Sequence, residues 1–563
     1  WFVDSASSAS SPDGTSWSSA FNTIQAGVDA AYAGGGGEVW VAAGTYTATT
    51  DTIVTMQDGV SVYGGFTGGE TARSQRDWNA NRTVVDGEHK RRGFITADNV
   101  TLDGFIVIHG YPFKYGPGSG GGLYSSSSPV EINNCIFAEN TAASGGGVYT
   151  ISPALTLTNC TFVGNEKAGL ISDGGAPVLS GCLFIGNHCN YGGGAMFCTS
   201  SPTLINCIFM NNRARLSGGA IYSYNHSTPT IVNTTFVSNS AIVAGGGIYD
   251  TGSSLSLNNC ILWGNEASDG TQITSSSATV THSCVQGGYA GTGNIVTNPL
   301  FVGLDAFGSV QLREGSPCLD TGDATGAPAM DILGRLRPDG TGVDMGAYEG
   351  AAATEDLVTL TMETSPVGSG ETIPSAGEHV FVRGEKTVLY AATVNMLFDR
   401  WEGDVSGDLC AFSLELTGDT NARALFDDHP YYVDVDGTAV TPDGRTWGTA
   451  FKDIQSAVNA ASADGGGVVW VAEGVYQGTT DPIVTLAPDV SVYGGFSGVE
   501  TERGQRDGKT HETRLEGQFK RRCVLGAGDS VFDGFVVAHG KTTNRGGGLY
   551  NNNGPRAVVS HCV

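Results

Sequence analysis

The carboxylates, histidines and basic residues that could do chemistry in this chain are sparse and irregularly spaced. Cleavage of a glycosidic bond needs paired carboxylates or a calcium cluster, usually with Arg or Lys nearby. The charged residues between 120 and 285 are Glu131, Glu139, Glu166, Lys167, Asp173, Arg213, Arg215, Asp250, Glu266 and Asp269. Arg213 and Arg215 would meet Glu139 or Asp173 only through the course of loops. His188, His226 and His282 are scattered, which indicates surface or turn positions.

A second group of oxygen-bearing side chains lies near residue 340. Asp331, Asp339, Asp344 and Glu349 could supply the oxygen ligands that calcium prefers. Their spacing fits no calcium loop that we can name, so we expect these carboxylates to order a closing turn. The sequence therefore predicts no catalytic residue, no cofactor site and no metal site.

The twelve cysteines lack the CxxC spacing of zinc sites. One position of a short repeat holds Cys135, Cys160, Cys182, Cys207 and Cys260, with Thr234 in one coil, and we expect Cys284 to extend the row. A buried stack of small apolar side chains is favoured over a metal-binding ladder. Cys189 and Cys198 flank a glycine turn, and the sequence leaves open whether they pair.

These residues belong to a repeat whose unit ends in a pattern resembling NCxFxxN. The six copies are INNCIFAEN (132–140), LTNCTFVGN (157–165), LSGCLFIGN (179–187), LINCIFMNN (204–212), IVNTTFVSN (231–239) and LNNCILWGN (257–265). Glycine runs followed by aliphatic and aromatic residues separate the copies; no Lys-Ser or Lys-Thr follows these runs, so they indicate turns rather than phosphate loops. A period of about 22–27 residues with β-branched runs predicts an all-β fold, a parallel β-helix.

The residue before each cysteine position breaks the alternation of inward-facing side chains, so a bend is expected there. It is Asn134, Asn159, Gly181, Asn206, Asn233 and Asn259 in successive coils. Asn and Gly tolerate left-handed backbone angles best. A backbone requirement is therefore favoured over an exposed amide ladder that binds sugar.

Both ends of the β-helix need covers, because an end coil exposes unpaired strand edges. Residues 17–33 read as an amphipathic helix with Phe21, Ile24, Val28 and Ala31 on one face, and this helix is expected to cap the N-terminal end. Residues 298–350 are expected to close the other end.

A long repeat organises the whole chain. SVYGGF occurs at 61–66 and again at 491–496, 430 residues later, and other matches share this shift. We predict a β-helix over 1–350, a small antiparallel β domain over 351–430 with Trp401 and Phe398 in its core, and the start of a second β-helix over 431–563 that repeats 1–137. Since Trp1 falls inside a repeat, the natural protein is expected to be longer and modular.

Composition excludes several classes of function. The chain has 84 glycines, 15% charged residues and a net charge of −27. Disordered chains carry more charge, and a nucleic-acid-binding domain would show a basic patch or stripe. A membrane-spanning helix is not expected either, because there is no apolar stretch of the required length.

Several motifs resemble bacterial surface proteins. The FxxN and GG[AGI][IL]Y alternation is similar to the repeats of polymorphic outer-membrane proteins, and VYGGFTGGETARSQRDW (62–78) looks like the opening of bacterial right-handed β-helices. SPCLDTGD (316–323) and DILGRLRPDGTGVDMGAYE (331–349) resemble the end of β-helix proteins that carry choice-of-anchor domains. Residues 357–427 look like a divergent internalin-type B repeat. The resemblance implies a right-handed solenoid and an extracellular address.

Two functions follow as expectations. The first is a non-catalytic extracellular structural or adhesive protein, a repeat unit of a cell-surface stalk, fibre or filament that self-associates or binds surface or matrix glycans. The alternative is a polysaccharide lyase or glycosidase, because many β-helices act on acidic sugars. A groove with three or more carboxylates and a basic residue would favour the enzyme, whereas a smooth face of Ser, Thr, Asn and Tyr would favour adhesion or assembly.

Overall fold

The structure is a computed structural model. It describes residues 1–563 except 113–117, 226, 253, 304–306, 366–369, 393–396, 428–429, 464–466, 489, 501–504, 528–529, 543–545 and 552–557.

The first β-helix consists of three parallel sheets, and each coil adds one strand to each sheet. Sheet 1 contains Phe2–Val3, Gly37–Ala42, Val60–Phe66, Val100–Asp103, Val130–Asn133, Leu155–Thr158, Val178–Ser180, Thr203–Ile205, Thr230–Val232, Ser256–Asn258 and Thr279–Thr281. Sheet 2 contains Gly44–Tyr46, Thr83–Asp86, Phe105–Ile108, Ile136–Ala138, Thr161–Val163, Leu183–Ile185, Ile208–Met210, Thr235–Val237, Ile261–Trp263 and Cys284–Val285. Sheet 3 contains Thr52–Thr55, Arg92–Ile95, Leu123–Ser125, Val148–Thr150, Leu170–Ser172, Met196–Cys198, Ile221–Tyr224, Ile248–Thr251 and Ile273–Thr274. The predicted right-handed parallel β-helix is confirmed.

Short strands at His188–Cys189, Arg213–Ala214 and Ser240–Ala241 form a fourth, three-stranded sheet beside sheet 2.

Identical residues stack in the core because each coil repeats the register of the one before it. Phe137, Phe162, Phe184, Phe209 and Phe236 are fully buried, and successive ring centroids lie 4.5–5.2 Å apart. The asparagine that ends each copy of the repeat is called the closing asparagine here, and the six of them are Asn140, Asn165, Asn187, Asn212, Asn239 and Asn265. They form a buried amide ladder, in which Asn165 Nδ2 donates to Asn187 Oδ1 at 2.9 Å. These ladders satisfy the polar groups inside the solenoid and add stacking to hydrophobic burial.

The bend between sheets 1 and 2 has the predicted left-handed backbone. The φ angles at Asn134, Asn159, Gly181, Asn206, Asn233 and Asn259 lie between 47° and 63°. The predicted place of Cys284 is wrong, however. Cys284 pairs with Ile261 in sheet 2, so Ser283 takes the cysteine position. The Ser283 hydroxyl accepts a hydrogen bond from the backbone of Cys260, as Thr234 does from Cys207.

An α-helix covers the N-terminal coil, but it is shorter than the sequence predicts. A single 3-10 turn occupies Trp17–Ser19, and the α-helix spans Ile24–Ala33. Thr23 is its N-cap, since the Thr23 hydroxyl accepts from the backbone of Ala26. Ile24, Val28 and Ala31 are buried against the first coils. Phe21 lies before the helix and bridges to Val3.

The small β domain contains Leu357–Ser365, Glu371–Ile373, Gly377–Val382, Lys386–Ala392, Leu397–Gly403, Ala411–Glu415 and Thr420–Asp427. Its strand pairs Leu357–Ser365 with Gly377–Val382, and Lys386–Ala392 with Ala411–Glu415, are antiparallel. A 3-10 turn at Thr354–Asp356 precedes it, and another lies at Arg73–Gln75 in the first β-helix. Trp401 is fully buried in this domain.

The second β-helix repeats the strand order of the first, and the strands Gly37–Ala42, Gly44–Tyr46, Val60–Phe66 and Thr83–Asp86 recur 430 residues later. Its three sheets are Tyr431–Val433, Gly467–Ala472, Val490–Phe496, Val531–Asp533 and Val558–Ser560; Gly474–Tyr476, Thr513–Glu516 and Phe535–Ala538; and Val484–Thr485, Val524–Gly526 and Leu549–Asn551. A 3-10 turn spans Trp447–Thr449 and an α-helix spans Ile454–Ala463.

The first β-helix and most of the described small β domain (371–392 and 401–424) form one compact unit, and residues 425–563 belong to another. None of the described helices is long and apolar enough to cross a membrane.

Candidate functional site: a corner column beneath the small β domain

The residues that follow seven successive sheet 2 strands, from Phe105–Ile108 to Ile261–Trp263, form a row along the first β-helix, which we call the corner column. It consists of His109, Glu139, Gly164, Gly186, Asn211, Ser238 and Gly264, all with φ between 50° and 67°. The register of sheet 2 aligns the residues just before them, from Ile108 to Trp263. The first two members carry functional groups, and the next two are glycines.

His109 lies between two carboxylates. Its Nδ1 is 2.9 Å from Asp86 Oδ1, and its Nε2 is 3.1 Å from Glu139 Oε2. Desolvation opposes a charge on this imidazole, but hydrogen bonds to Asp86, Cys410 and Glu139 outweigh it and raise the pKa of His109 well above its usual value. Burial likewise works against ionised Glu139, yet the contact with His109 holds the pKa of Glu139 below its usual value. The three groups therefore form a partly buried ion triad.

The small β domain completes this cluster with two neighbouring strands. Tyr390 pairs with Ala411 in the antiparallel register, so Tyr390 and Cys410 lie side by side. The Tyr390 hydroxyl donates to Glu139 Oε1 at 2.9 Å, and Cys410 Sγ lies 4.0 Å from His109 Nε2. Nearby, the Arg82 guanidinium lies 3.9 Å from the ring centroid of Phe412, which adds a cation–π contact.

The two glycines of the corner column make room for the small β domain. A Cβ atom at Gly164 would lie 2.4 Å from the Tyr390 ring, and one at Gly186 would lie 2.4 Å from Ile373 Cδ1. At Gly264 the nearest such atom is 3.5 Å away, which is ordinary contact. The small β domain therefore docks on the first four members of the corner column and leaves Gly264 uncovered.

Three side chains here could hold a metal ion. His109 Nε2, Glu139 Oε2 and Cys410 Sγ lie within 4.8 Å of one another. From the sequence, Glu139 is expected to meet only Arg213 or Arg215, and Asp86, His109 and Cys410 are not predicted as site residues. The signal that could have found His109 is its place one residue after a sheet 2 strand, directly below Glu139.

The other carboxylates of the coils lie elsewhere. Glu166, His188, Arg213, Ser240 and Glu266 occupy one column of mixed charge beside sheet 2, where His188 Nδ1 is 3.0 Å from Glu166.

Asp173 accepts from Tyr149 and Thr199 at the surface, whereas Asp250 is buried and bonded to Ser275. Arg213 belongs to the mixed-charge column and Glu139 to the corner column, so the two do not share a column. His282 takes the bend position with φ of 43°, and His226 lies outside the described residues.

The closing segment holds the four predicted carboxylates, and N–H donors occupy three of them. Asp331 accepts from the backbone of Leu333 and Glu349, and Asp344 accepts from the backbone of Asp320 and Gly350. Glu349 forms a buried ion pair with Arg337. Asp339 is exposed and contributes its backbone N–H to Glu349. This pattern matches ordered turns, because the oxygens that calcium would need are accepting hydrogen bonds.

The bend asparagines bind the closing segment rather than facing solvent as a free amide row. Asn206, Asn233 and Asn259 donate to the carbonyl oxygens of Met330, Asp344 and Asp323. The segment therefore runs back along the coils as well as covering their end, which sequence alone did not predict. Cys189 and Cys198, whose pairing the sequence left open, are both free thiols.

The outer side of sheet 3 carries a half-buried row of five aromatic rings, which Ile171 interrupts. In order along the coils, the row contains Tyr124, Tyr149, Ile171, Phe197, Tyr222 and Tyr249, in register from coil to coil. Tyr124 and Tyr149 stack with centroids 5.8 Å apart, and Phe197 and Tyr222 with centroids 5.2 Å apart. Stacking uses the ring faces, so the row presents ring edges and phenol hydroxyls to solvent. Burial and the hydrogen bond to Asp173 raise the pKa of Tyr149 to about 12, which keeps this hydroxyl protonated.

Comparisons with known proteins concern the fold. Among solved structures, the A-module of the mannuronan C-5 epimerase AlgE4 of Azotobacter vinelandii is 16% identical, with a TM-score of 0.24 over 49% of this chain and 99% of that one. A mutant tailspike protein of E. coli bacteriophage HK620, in complex with a pentasaccharide, is 10% identical, with a TM-score of 0.29 over 96% of this chain and 74% of its own. No curated protein sequence matches the chain. Residues 94–236 match the family model described as right handed beta helix region, the same fold that the three sheets display.

Proposed function

We propose that this chain is a repeat unit of a non-catalytic extracellular structural or adhesive protein, such as a bacterial cell-surface stalk, fibre or filament. The single observation that carries the proposal is where the chemically capable side chains lie. His109, Glu139 and Cys410 lie at the contact between a coil and the small β domain, and the closing-segment carboxylates accept hydrogen bonds from N–H groups. Groups used in this way hold parts of the protein together instead of facing a long polymer.

The remaining surface of the coils supports the same proposal. Sheet 3 presents a row of tyrosine edges with flanking Ser and Thr residues, and the mixed-charge column beside sheet 2 holds acidic, basic and hydroxyl side chains. Such a face suits hydrogen bonding to glycans or to a second copy of the chain, whereas elimination or hydrolysis needs a matched pair of accessible carboxylates. Glycans and self-association are therefore the partners that we propose.

Docking of the small β domain on the coils supports the proposed stalk, because it opposes bending at the junction between them. A β-helix followed by a freely hinged domain would bend at every junction. Here Arg82, Glu139 and Gly164 on the coils contact Phe412 and Tyr390 of the small β domain, and these contacts oppose hinging between the two.

The test compares catalysis with binding and assembly on the same purified chain. The chain is incubated with neutral and acidic polysaccharides, and new reducing ends and unsaturated uronate absorbance are followed. Sedimentation velocity and electron microscopy over a concentration series then measure self-association, and a glycan array measures binding. We expect no products above a heat-inactivated control, together with assembly or glycan binding. Product formation, which is the expectation of the lyase or glycosidase alternative, would overturn the proposal, as would a monomer at all concentrations that binds no glycan.

A further inference from the structure

The cluster at the head of the corner column has the donor set of a transition-metal site. An imidazole nitrogen, a carboxylate oxygen and a thiol sulfur converge from two coils and the small β domain. In a tetrahedral zinc site with ordinary bond lengths, the nitrogen and oxygen ligands lie roughly 3.3 Å apart and the nitrogen and sulfur ligands roughly 3.6 Å apart. Here His109 Nε2 lies 3.1 Å from Glu139 Oε2 and 4.0 Å from Cys410 Sγ. These two separations thus lie within a few tenths of an ångström of the values in a zinc site, and all three donor atoms lie within 4.8 Å of one another.

Hydrogen bonds with Asp86 and Tyr390 orient His109 and Glu139 in the way that zinc ligands are usually oriented. Asp86 accepts at His109 Nδ1, which leaves Nε2 facing Glu139 and Cys410. The Tyr390 hydroxyl donates to Glu139 Oε1, which leaves Glu139 Oε2 facing His109. In such sites a ligating imidazole typically donates its other N–H to a carboxylate, and a ligating carboxylate typically accepts a further hydrogen bond. These outer hydrogen bonds form the second layer of the site. This second layer is an observation independent of the three donors themselves.

We propose that His109 Nε2, Glu139 Oε2 and Cys410 Sγ bind one divalent zinc ion that fastens the small β domain to the first β-helix. Cys410 loses its thiol proton and His109 loses its Nε2 proton to solvent, so Cys410 binds as thiolate and His109 binds through the Nε2 lone pair. His109 keeps the Nδ1 proton, which it donates to Asp86, and Glu139 binds as carboxylate. The ion replaces the direct contact between Nε2 and Oε2. Three protein ligands leave the fourth tetrahedral position for a water molecule.

The second β-helix supplies an internal control for this site. His539 is the counterpart of His109, and its Nδ1 lies 2.9 Å from Glu516, the counterpart of Asp86. Phe519 stacks on His539 with centroids 4.4 Å apart, as His89 stacks on His109 at 4.4 Å. The shared features are therefore the carboxylate behind the imidazole and the stacked ring. The positions equivalent to Glu139 and Cys410 lie beyond Val563, so in this 563-residue chain the His539 corner has the imidazole and its carboxylate without the other two donors.

The experiment measures metal content and affinity on the full chain without a histidine tag. Elemental analysis follows dialysis against metal-free buffer, and the chelated protein is then titrated with Zn²⁺ and with Co²⁺. We expect about one ion per chain, with the absorption of a thiolate-to-cobalt charge transfer. Cys410→Ser and His109→Gln should each lower affinity by at least about 100-fold, and Asp86→Asn by about 10–100-fold. The matched controls Cys189→Ser and His539→Gln should leave stoichiometry and affinity unchanged.

Three results would overturn the metal site. They are a chelated wild-type chain that binds no stoichiometric Zn²⁺ or Co²⁺, a cobalt complex without thiolate absorption, and a folded Cys410→Ser chain with unchanged affinity. The wild-type titration decides the matter even when a variant misfolds. Because none of these readouts involves polysaccharide, failure of the metal site and failure of the proposed function are distinguishable.

Discussion

The corner at His109 and the corner at His539 are two copies of one sequence element in different surroundings. Both histidines follow a sheet strand, have φ of 53° and 51°, and place Nδ1 2.9 Å from a carboxylate. The His109 side chain is 21% exposed and the His539 side chain 45% exposed. Glu139 and Cys410 approach His109 from the other side.

Within residues 1–563 the His109 corner has a following coil and the small β domain beside it, whereas the positions equivalent to Glu139 and Cys410 lie beyond Val563 for the His539 corner. The comparison therefore isolates what these two neighbours add to a histidine–carboxylate pair. The next coil and the small β domain convert the pair into a three-donor cluster. The three-donor cluster therefore depends on the docking of the small β domain. Variants that weaken this docking should destabilise the His109 corner and leave the His539 corner unchanged.

The largest expected effect comes from Gly164→Ala compared with Gly264→Ala. Both glycines have positive φ, 60° and 67°, so each alanine costs about 1–2 kcal/mol for the left-handed backbone. At Gly164 the new Cβ also meets Tyr390, and overpacking adds about 1–3 kcal/mol. Urea unfolding should show a greater loss for Gly164→Ala. Equal losses would mean that the small β domain is not docked at Gly164.

The second-largest effect is expected when the glutamate partner of each corner histidine is replaced, which compares the two corners directly. Glu139→Gln removes a charged partner from His109 and Tyr390, and we expect a loss of about 2–3 kcal/mol in the free energy of unfolding. Glu516→Gln removes the partner of the more exposed His539 and should cost less than about 1 kcal/mol. Hydrogen exchange read by mass spectrometry reports both corners in one sample. A larger loss of protection at 535–540 in Glu516→Gln than at 105–110 in Glu139→Gln would reverse the comparison.

Asp344 is a buried carboxylate that accepts from the backbone amides of Asp320 and Gly350, whereas the carboxylates beside His109 and His539 pair with an imidazole. Burial raises the pKa of Asp344 to about 6 from an ordinary value of 3.8. Folding therefore favours the protonated acid, so its stabilising contribution is complete below about pH 4 and is lost as pH rises through 6.

The Asp344 contribution should be about 2 kcal/mol, measured as the difference between wild type and Asp344→Asn in unfolding free energy at pH 4 and pH 8. The same difference at both pH values would contradict this assignment.

Tyr390→Phe should have the smallest effect, because it removes one hydroxyl and keeps the ring against Gly164. The loss of its hydrogen bond to Glu139 should cost about 1 kcal/mol. Tyr224→Phe, at a ring that is 48% exposed, is the control and should be neutral. Thermal unfolding of the two variants in parallel measures the difference, and a neutral Tyr390→Phe would remove this hydrogen bond from the account.

Much of the fold could be predicted because stacking repeats one local rule many times. A bend that requires left-handed angles selects Asn or Gly, and the same position recurs in every coil, so Asn134 to Asn259 are visible as a pattern. Cys284 was misplaced because His282 and Ser283 continue the bend and cysteine positions with different residue types. The helix was predicted too long because Phe21 is apolar at helical spacing but pairs with Val3.

The candidate site could not be predicted in the same way. Asp86, His109 and Glu139 come from three successive coils, and Cys410 lies 301 residues beyond His109. No local spacing links them, and the docking of the small β domain depends on the shape of Tyr390 against Gly164. The sequence nevertheless marks the corner column from Glu139 to Gly264, because each of these residues directly precedes a closing asparagine.

The most direct test of the docked unit is hydroxyl-radical footprinting of tyrosines in the wild-type chain and in Gly164→Ala. Tyr390 is 6% exposed when the small β domain is docked, so it should be oxidised far more slowly than Tyr224 in the wild-type chain. Gly164→Ala should raise the rate at Tyr390 and leave Tyr224 unchanged. Oxidation of Tyr390 at the rate of Tyr224 in the wild-type chain would contradict the claim that the small β domain docks on the corner column.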